Sequence, residues 1–113
     1  MLQVEGPAYF QGDVEIGSSR ELKENIEPLE LTLAQETLRA LQPVHFNYKQ
    51  NSEGKLGFIA EDVPDAVASD SRKSLSPMDF IAVLTRVLKD QQAEIHNLKE
   101  RLEQIESQPV PQR

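Results

Sequence analysis

Residues 77–107 read PMDFIAVLTRVLKDQQAEIHNLKERLEQIES. Within them Ile81, Leu84, Leu88, Gln91, Ile95, Leu98, Leu102 and Ile105 recur at alternating steps of three and four. That spacing is the a/d seam of a heptad helix, with Ile or Leu at every position except Gln91. The pattern predicts a long helix over 77–107, with Asp79 as a plausible N-cap. Gln91 falls at a d position and would put one polar layer in the core, which fixes register at a cost in stability. The mixed Ile/Leu seam does not match the preference of two-stranded coils for Ile at a and Leu at d. Two arrangements would bury it: a coiled coil with other copies, or a fold back onto the chain's own core. The seam runs far beyond what a small domain can cover, which favours the coiled coil.

Upstream lies a short compact stretch. Leu31, Ala34, Leu38 and Leu41 have helical spacing, and Pro43 ends that helix. Val44, Phe46 and Tyr48 alternate with polar residues, and Asn51-Ser52-Glu53-Gly54 is a turn. Residues 56–60, LGFIA, form a second apolar run, so 44–60 is expected to be a hairpin. Phe46, Tyr48, Phe58 and Ile59 are core candidates. Residues 61–68 fit one or two helical turns with Pro64 near a start, and 69–76 is a polar loop. A domain of about 60 residues buries only about 60% of its unfolded surface and is marginal alone. Self-association through the seam would relieve both that deficit and the exposed stripe.

At the N-terminal end, Gly6 and Gly12 interrupt short apolar pairs, and Val14 and Ile16 alternate with Asp13 and Glu15. This strand period in so short a piece suggests the end of a longer β stem, which would make the chain a fragment. The expected organisation is therefore α+β. A β-stem remnant occupies 1–17, a helix-plus-hairpin core 18–76, a coiled-coil helix 77–107 and a disordered tail 108–113.

Composition removes several functions. The 113 residues include no Cys, so disulfides, thiolate zinc sites and Cys nucleophiles are excluded. His45 and His96 form no metal-binding pair, and the acidic residues show no calcium-loop spacing. Neither cofactor nor metal is expected, and the glycine-rich nucleotide loops are missing. The net charge of −7 and pI of about 4.8 would repel a nucleic-acid backbone. No apolar run approaches the 18 residues of a membrane span.

The remaining nucleophiles are serines. Ser18 and Lys23 flank a strand-to-helix break, and a Ser-Lys dyad needs only those two side chains. Five residues apart on an α-helix, they would point roughly 140° away from one another. They meet only if the backbone between them turns or extends. A plainer alternative is that Ser18-x-x-Glu21 forms a capping box and Lys23 is solvated. His45 is out of phase with Val44 and Phe46 and is expected on the surface, as is His96 beside the seam. Glu61 and Asp62 could face Lys23 or a metal, or simply start a helical turn. Arg20 is expected to be a solvated residue.

Four blocks occur in order: SSRELKENIEPL, LRALQPVHFNYK, GKLGFIAEDVP and MDFIAVLTRVLKDQQAEIHNL. Together they resemble the C-terminal intramolecular chaperone domain of phage tailspikes, endosialidases and tail fibres. They are also similar to the self-cleaving domain of myelin regulatory factor. The resemblance spans roughly residues 17–102, and AYFQGDVEIG looks like the last stem repeat that precedes the module. It implies a homotrimer that helps an upstream β-stranded fibre of the same chain to fold and then cuts itself off. It places the nucleophile at Ser18, the general base at Lys23 and the scissile bond at Gly17–Ser18. Many members carry Asp after the nucleophile and Arg two residues before the Lys, where this chain has Ser19 and Glu21. The implied setting is a virion tail fibre or a bacterial prophage or surface protein, folded in the host cytoplasm. The alternative within the same fold is a trimerisation module that does not cleave. A plain coiled-coil adaptor fits the ordered blocks less well.

A lysine amine titrates near 10.4 in water, and a base working near neutral pH needs about 7–8, a gap of about 4 kcal/mol. Burial disfavours the ammonium form. A small isolated domain has little room to bury Lys23, so assembly is expected to switch cleavage on. Gly17 is expected to supply a backbone shape that other residues adopt only at a cost.

Overall fold

The computed structural model describes residues 3–4 and 6–109. It is an α+β chain of two helices and one antiparallel hairpin, with the longer helix at the C-terminal end. In order these are α1 (Leu31–Ala40), β1 (Val44–Phe46), β2 (Lys55–Gly57) and α2 (Pro77–Ser107), with short 3-10 turns at Arg20–Leu22, Ala60–Asp62 and Asp65–Val67.

Helix α1 buries Ala34 and Thr37 and half-buries Leu31 and Leu38. Thr37 is tolerated inside because its hydroxyl donates to the Leu33 carbonyl at 2.7 Å. The helix stops where Leu41 turns extended and its N–H caps the Thr37 and Leu38 carbonyls. Pro43 follows and biases the preceding residue away from the helical region. The hairpin pairs Val44 with Gly57, His45 with Leu56 and Phe46 with Lys55. Its loop is held by Asn47, whose amide donates to the Tyr48 and Asn51 carbonyls, and by Asn51, which accepts from the Glu53 N–H. His45 is exposed.

Residues 60–67 make two separate 3-10 turns with Val63 and Pro64 between them. Arg72, in the left-handed region at φ 53, reaches back to donate to the Val63 carbonyl at 2.9 Å and pairs with Asp65. Val63 and Val67 are thereby held in the core.

Helix α2 starts at Pro77, where the missing N–H costs nothing. Ser76, not Asp79, occupies the N-cap position, and its side chain makes no cap bond. Asp79 lies inside the first turn, where a carboxylate favours the helix dipole. Phe80, Val83 and Val87 on α2 are buried with Ala34, Val63 and Val67 and form the core. Leu29, Leu38, Leu41, Phe58, Ala68 and Leu75 pack around it. The Phe58 and Phe80 rings are 4.8 Å apart. Arg86 adds a polar tie, its Nε donating to the Leu29 carbonyl at 3.0 Å.

Two of the core candidates need correction. The seam does not adopt the less favoured arrangement, the fold back. Its residues are all exposed, the apolar ones from 42% at Leu84 to 65% at Ile105, and a different face of α2 enters the core. Tyr48 and Ile59 are exposed too. Tyr48 lies beyond the end of β1 and makes a T-shaped contact with Phe46, with ring centroids 5.3 Å apart. The expected β-stem remnant at 1–17 forms no strand among the described residues. Val14 and Ile16 are exposed and belong to no strand, because a strand exists only when a neighbour supplies its hydrogen bonds. Of the tail expected at 108–113, Gln108 and Pro109 are exposed, and 110–113 lie outside the described residues.

Candidate functional site

The site is built on the turn at Arg20–Leu22. Ser19 enters it with extended backbone (φ −63, ψ 145), and Lys23 leaves it extended as well (φ −123, ψ 152). The Leu22 N–H donates to the Ser19 carbonyl at 3.0 Å and the Lys23 N–H to the Arg20 carbonyl at 3.1 Å. A single tight turn between two extended residues folds the chain back, which an α-helix over the same residues would not do. Lys23 Nζ donates to Ser18 Oγ at 2.7 Å. Both side chains are exposed in the single chain.

The serine that caps is the neighbour. Ser19 Oγ accepts from the Glu21 N–H at 3.2 Å. Ser18 is thus left free to meet Lys23, and the capping box Ser18-x-x-Glu21 does not form. Two adjacent serines made this assignment ambiguous in the sequence. Only the backbone shows which one precedes the turn.

Gly17 sits on the other side of Ser18. A Cβ at Gly17 would lie 3.2 Å from Leu22 Cδ1, so the turn's own leucine sits beside Gly17. Among the described glycines only Gly6 has positive φ, so Gly17 lies outside the left-handed region. What the small residue provides is room beside Leu22. Leu22 belongs to the site and was not singled out by any spacing rule.

Glu61 and Asp62 lie in the first turn of the 3-10 element Ala60–Asp62, in line with reading them as the start of a helical turn. Glu61 pairs with Lys73 at 3.1 Å. The hydrogen bond from Lys73, Glu61's own backbone N–H and the Lys73 charge together hold its carboxyl below the usual range. Arg20 is exposed, within the turn, and His96 pairs with Glu100 at 3.2 Å on the exposed side of α2.

Residues 18–71 match the peptidase family model described as chaperone of endosialidase. This is the family that the four ordered blocks resemble. The match opens on Ser18 and takes in Lys23, α1, the hairpin and both later turns, ending before α2. No curated protein and no solved structure matches the chain.

Proposed function

We propose that the chain is an intramolecular chaperone that assembles as a homotrimer, assists folding of an upstream β-stranded fibre of the same chain, and releases itself by cutting Gly17–Ser18. The observation that carries the cleavage step is the 2.7 Å contact between Lys23 Nζ and Ser18 Oγ. The chaperone role rests on the family match. The setting that accompanies it is a virion tail fibre or a bacterial prophage or surface protein, folded in the host cytoplasm.

The chemistry balances with the chain's own groups and water. Neutral Lys23 takes the Ser18 hydroxyl proton as Oγ adds to the Gly17 carbonyl carbon. The C–N bond then breaks, and the Ser18 nitrogen receives its electron pair and a proton from Lys23. An ester between Gly17 and Ser18 Oγ remains. Water hydrolyses it to a Gly17 carboxylate and a chain beginning at Ser18. The attack is intramolecular, and held geometry of this kind is worth up to about 7–11 kcal/mol of a barrier. Each chain turns over once. A base must be neutral, and Lys23 is exposed in the single chain. Assembly would supply the burial that disfavours the ammonium.

Support for self-association comes from α2. The seam is exposed along its whole length, and an apolar stripe of that extent marks an interaction surface. With Ile81 at a, the g residues of the free part of the helix are Glu94 and Arg101, and the e residues are Gln92, Lys99 and Glu106. In a parallel, in-register coil each g residue meets the e residue five positions on in its neighbour. Those pairs are Glu94 with Lys99 and Arg101 with Glu106, both of opposite charge.

The deciding experiment is the intact mass, under denaturing conditions, of wild type and Ser18→Ala. A wild-type product beginning at Ser18 that the variant does not give supports cleavage. A second reading, a trimerisation and folding module that does not cut, is favoured by the exposure of both side chains and by Ser19 and Glu21 in place of the family's common residues. It stands if both proteins stay full length and sediment as trimers.

A further inference from the structure

The hairpin and the arm before the site have matching needs. Among the described residues β1 and β2 form a sheet of two strands, so the outer edge of β2 is unpaired. A two-stranded hairpin is marginal in water and gains stability from a third strand. Leu56, at its centre, is 81% exposed. The arm at residues 13–16 is exposed, and among the described residues it pairs with no strand.

We propose that residues 13–16 of one copy add as a third strand to the outer edge of β2 in a second copy. Faces and charges both fit. In the arm, Asp13 and Glu15 fall on one face, Val14 and Ile16 on the other. In β2, Lys55 falls on one face and Leu56 on the other. Setting the acids beside Lys55 brings Val14 and Ile16 beside Leu56, and a slip of one residue would break both matches. Lys55 also selects the partner. A lysine on an edge strand disfavours pairing with another basic edge, whereas an acidic strand complements it. Lys55 is held only by an exposed contact with Glu53 at 3.6 Å. The β1 edge, Val44-His45-Phe46, has no comparable charge to offer. Main-chain bonds to a sheet edge, with side-chain specificity on alternate faces, are a general mode of strand recognition.

This inference rests on the proposed self-association, and the test separates the two. The chain has no cysteine, so introduced thiols are unique. Val14→Cys and Leu56→Cys are made in separate full-length chains, each also carrying Ser18→Ala so that the arm stays attached. The two are refolded together and treated with a short bis-maleimide. Expected is a trimer by sedimentation with a 14–56 linked peptide, at least tenfold above a mixture in which Val14→Cys is replaced by Gly12→Cys. A trimer without that link overturns the strand addition and leaves self-association standing. A monomer overturns both. A link that forms only when one chain carries both cysteines, at high dilution, overturns the second copy as occupant. Amide exchange gives an independent reading. Val14→Asp should speed exchange of the β2 amides by tenfold or more, and unchanged exchange in a folded trimer overturns the proposal.

Discussion

Phe80 and Ile81 are adjacent on α2 and serve different surfaces. Phe80 is 7% exposed with its ring on Phe58, whereas Ile81 is 52% exposed and begins the seam. Phe80, Val83 and Val87 define one stripe of the helix, and Ile81, Leu84 and Leu88 a second. Successive residues turn by 100°, which sets the two stripes roughly 100° apart. Only the first lies against α1 and the 3-10 turns.

Charges placed on the two stripes should therefore fail differently. Val87→Asp buries an unpaired carboxylate, costs several kcal/mol and should unfold a domain this small. Circular dichroism would show lost helix and a lost thermal transition. Leu98→Asp should leave the α1 amides protected and reduce the sedimenting species to a monomer. A Leu98→Asp protein that remains trimeric would remove the seam from the assembly.

Lys23 should be needed as an amine and not as a charge. Lys23→Arg keeps the cation but has no accessible neutral form. Both Lys23→Arg and Lys23→Met should slow appearance of the Ser18 N-terminus by about 100-fold or more, the lower end of what a positioned base contributes. Mass spectrometry over a time course measures this. Cleavage by Lys23→Arg at the wild-type rate would eliminate the base.

Gly17 and Leu22 should behave as a pair. Gly17→Ala brings a methyl to 3.2 Å from Leu22 Cδ1, and Leu22 must give by a few tenths of an ångström. Leu22 is exposed and can rotate. Stability should stay within about 0.5 kcal/mol of wild type by denaturant unfolding. Any slowing of cleavage should be reversed by adding Leu22→Ala. A slowing that the second change leaves untouched would place the glycine's role elsewhere.

The Glu61–Lys73 pair should weaken on acidification. Lys73's hydrogen bond, Glu61's own N–H and Lys73's charge lower the Glu61 pKa in the folded chain. Whatever the pair adds to stability is present above the ordinary glutamate value and is lost as pH falls through the depressed one. Carboxyl NMR titration should show Glu61 titrating below the ordinary glutamate value. Lys73→Ala should move its midpoint up, and no movement would mean that the ion pair is not populated in solution.

Periodicity exposed some of this architecture in the sequence and concealed the rest. Leu31, Ala34, Leu38 and Leu41 announce α1 because one apolar stripe on a short helix has only one place to go. The hairpin is visible because Val44 and Phe46 alternate around His45. On α2 the regular seam masked Phe80, Val83 and Val87, since two stripes on one helix overlap in the count. Both would be found by asking which apolar residues the seam leaves out. The contact of Ser18 with Lys23 was beyond any spacing rule, because it depends on a single 3-10 turn between extended residues. Val14 and Ile16 have a strand's pattern without a strand, since pattern states a preference and only a neighbour completes the ladder.

The two stripes on α2 have a geometric consequence for any bundle built on the seam. One continuous rod carries both, so the angle between them fixes the compass bearing of each core around the bundle axis. Inserting one residue between Val87 and Gln91 would swing every hairpin by about 100° in the same sense. Removing a whole heptad from the free part of the rod would shorten the handle and leave the bearings nearly as they were. In such a bundle the phase of α2 would act as a vernier that aims each domain, and the reach of its arm, from a shared spindle.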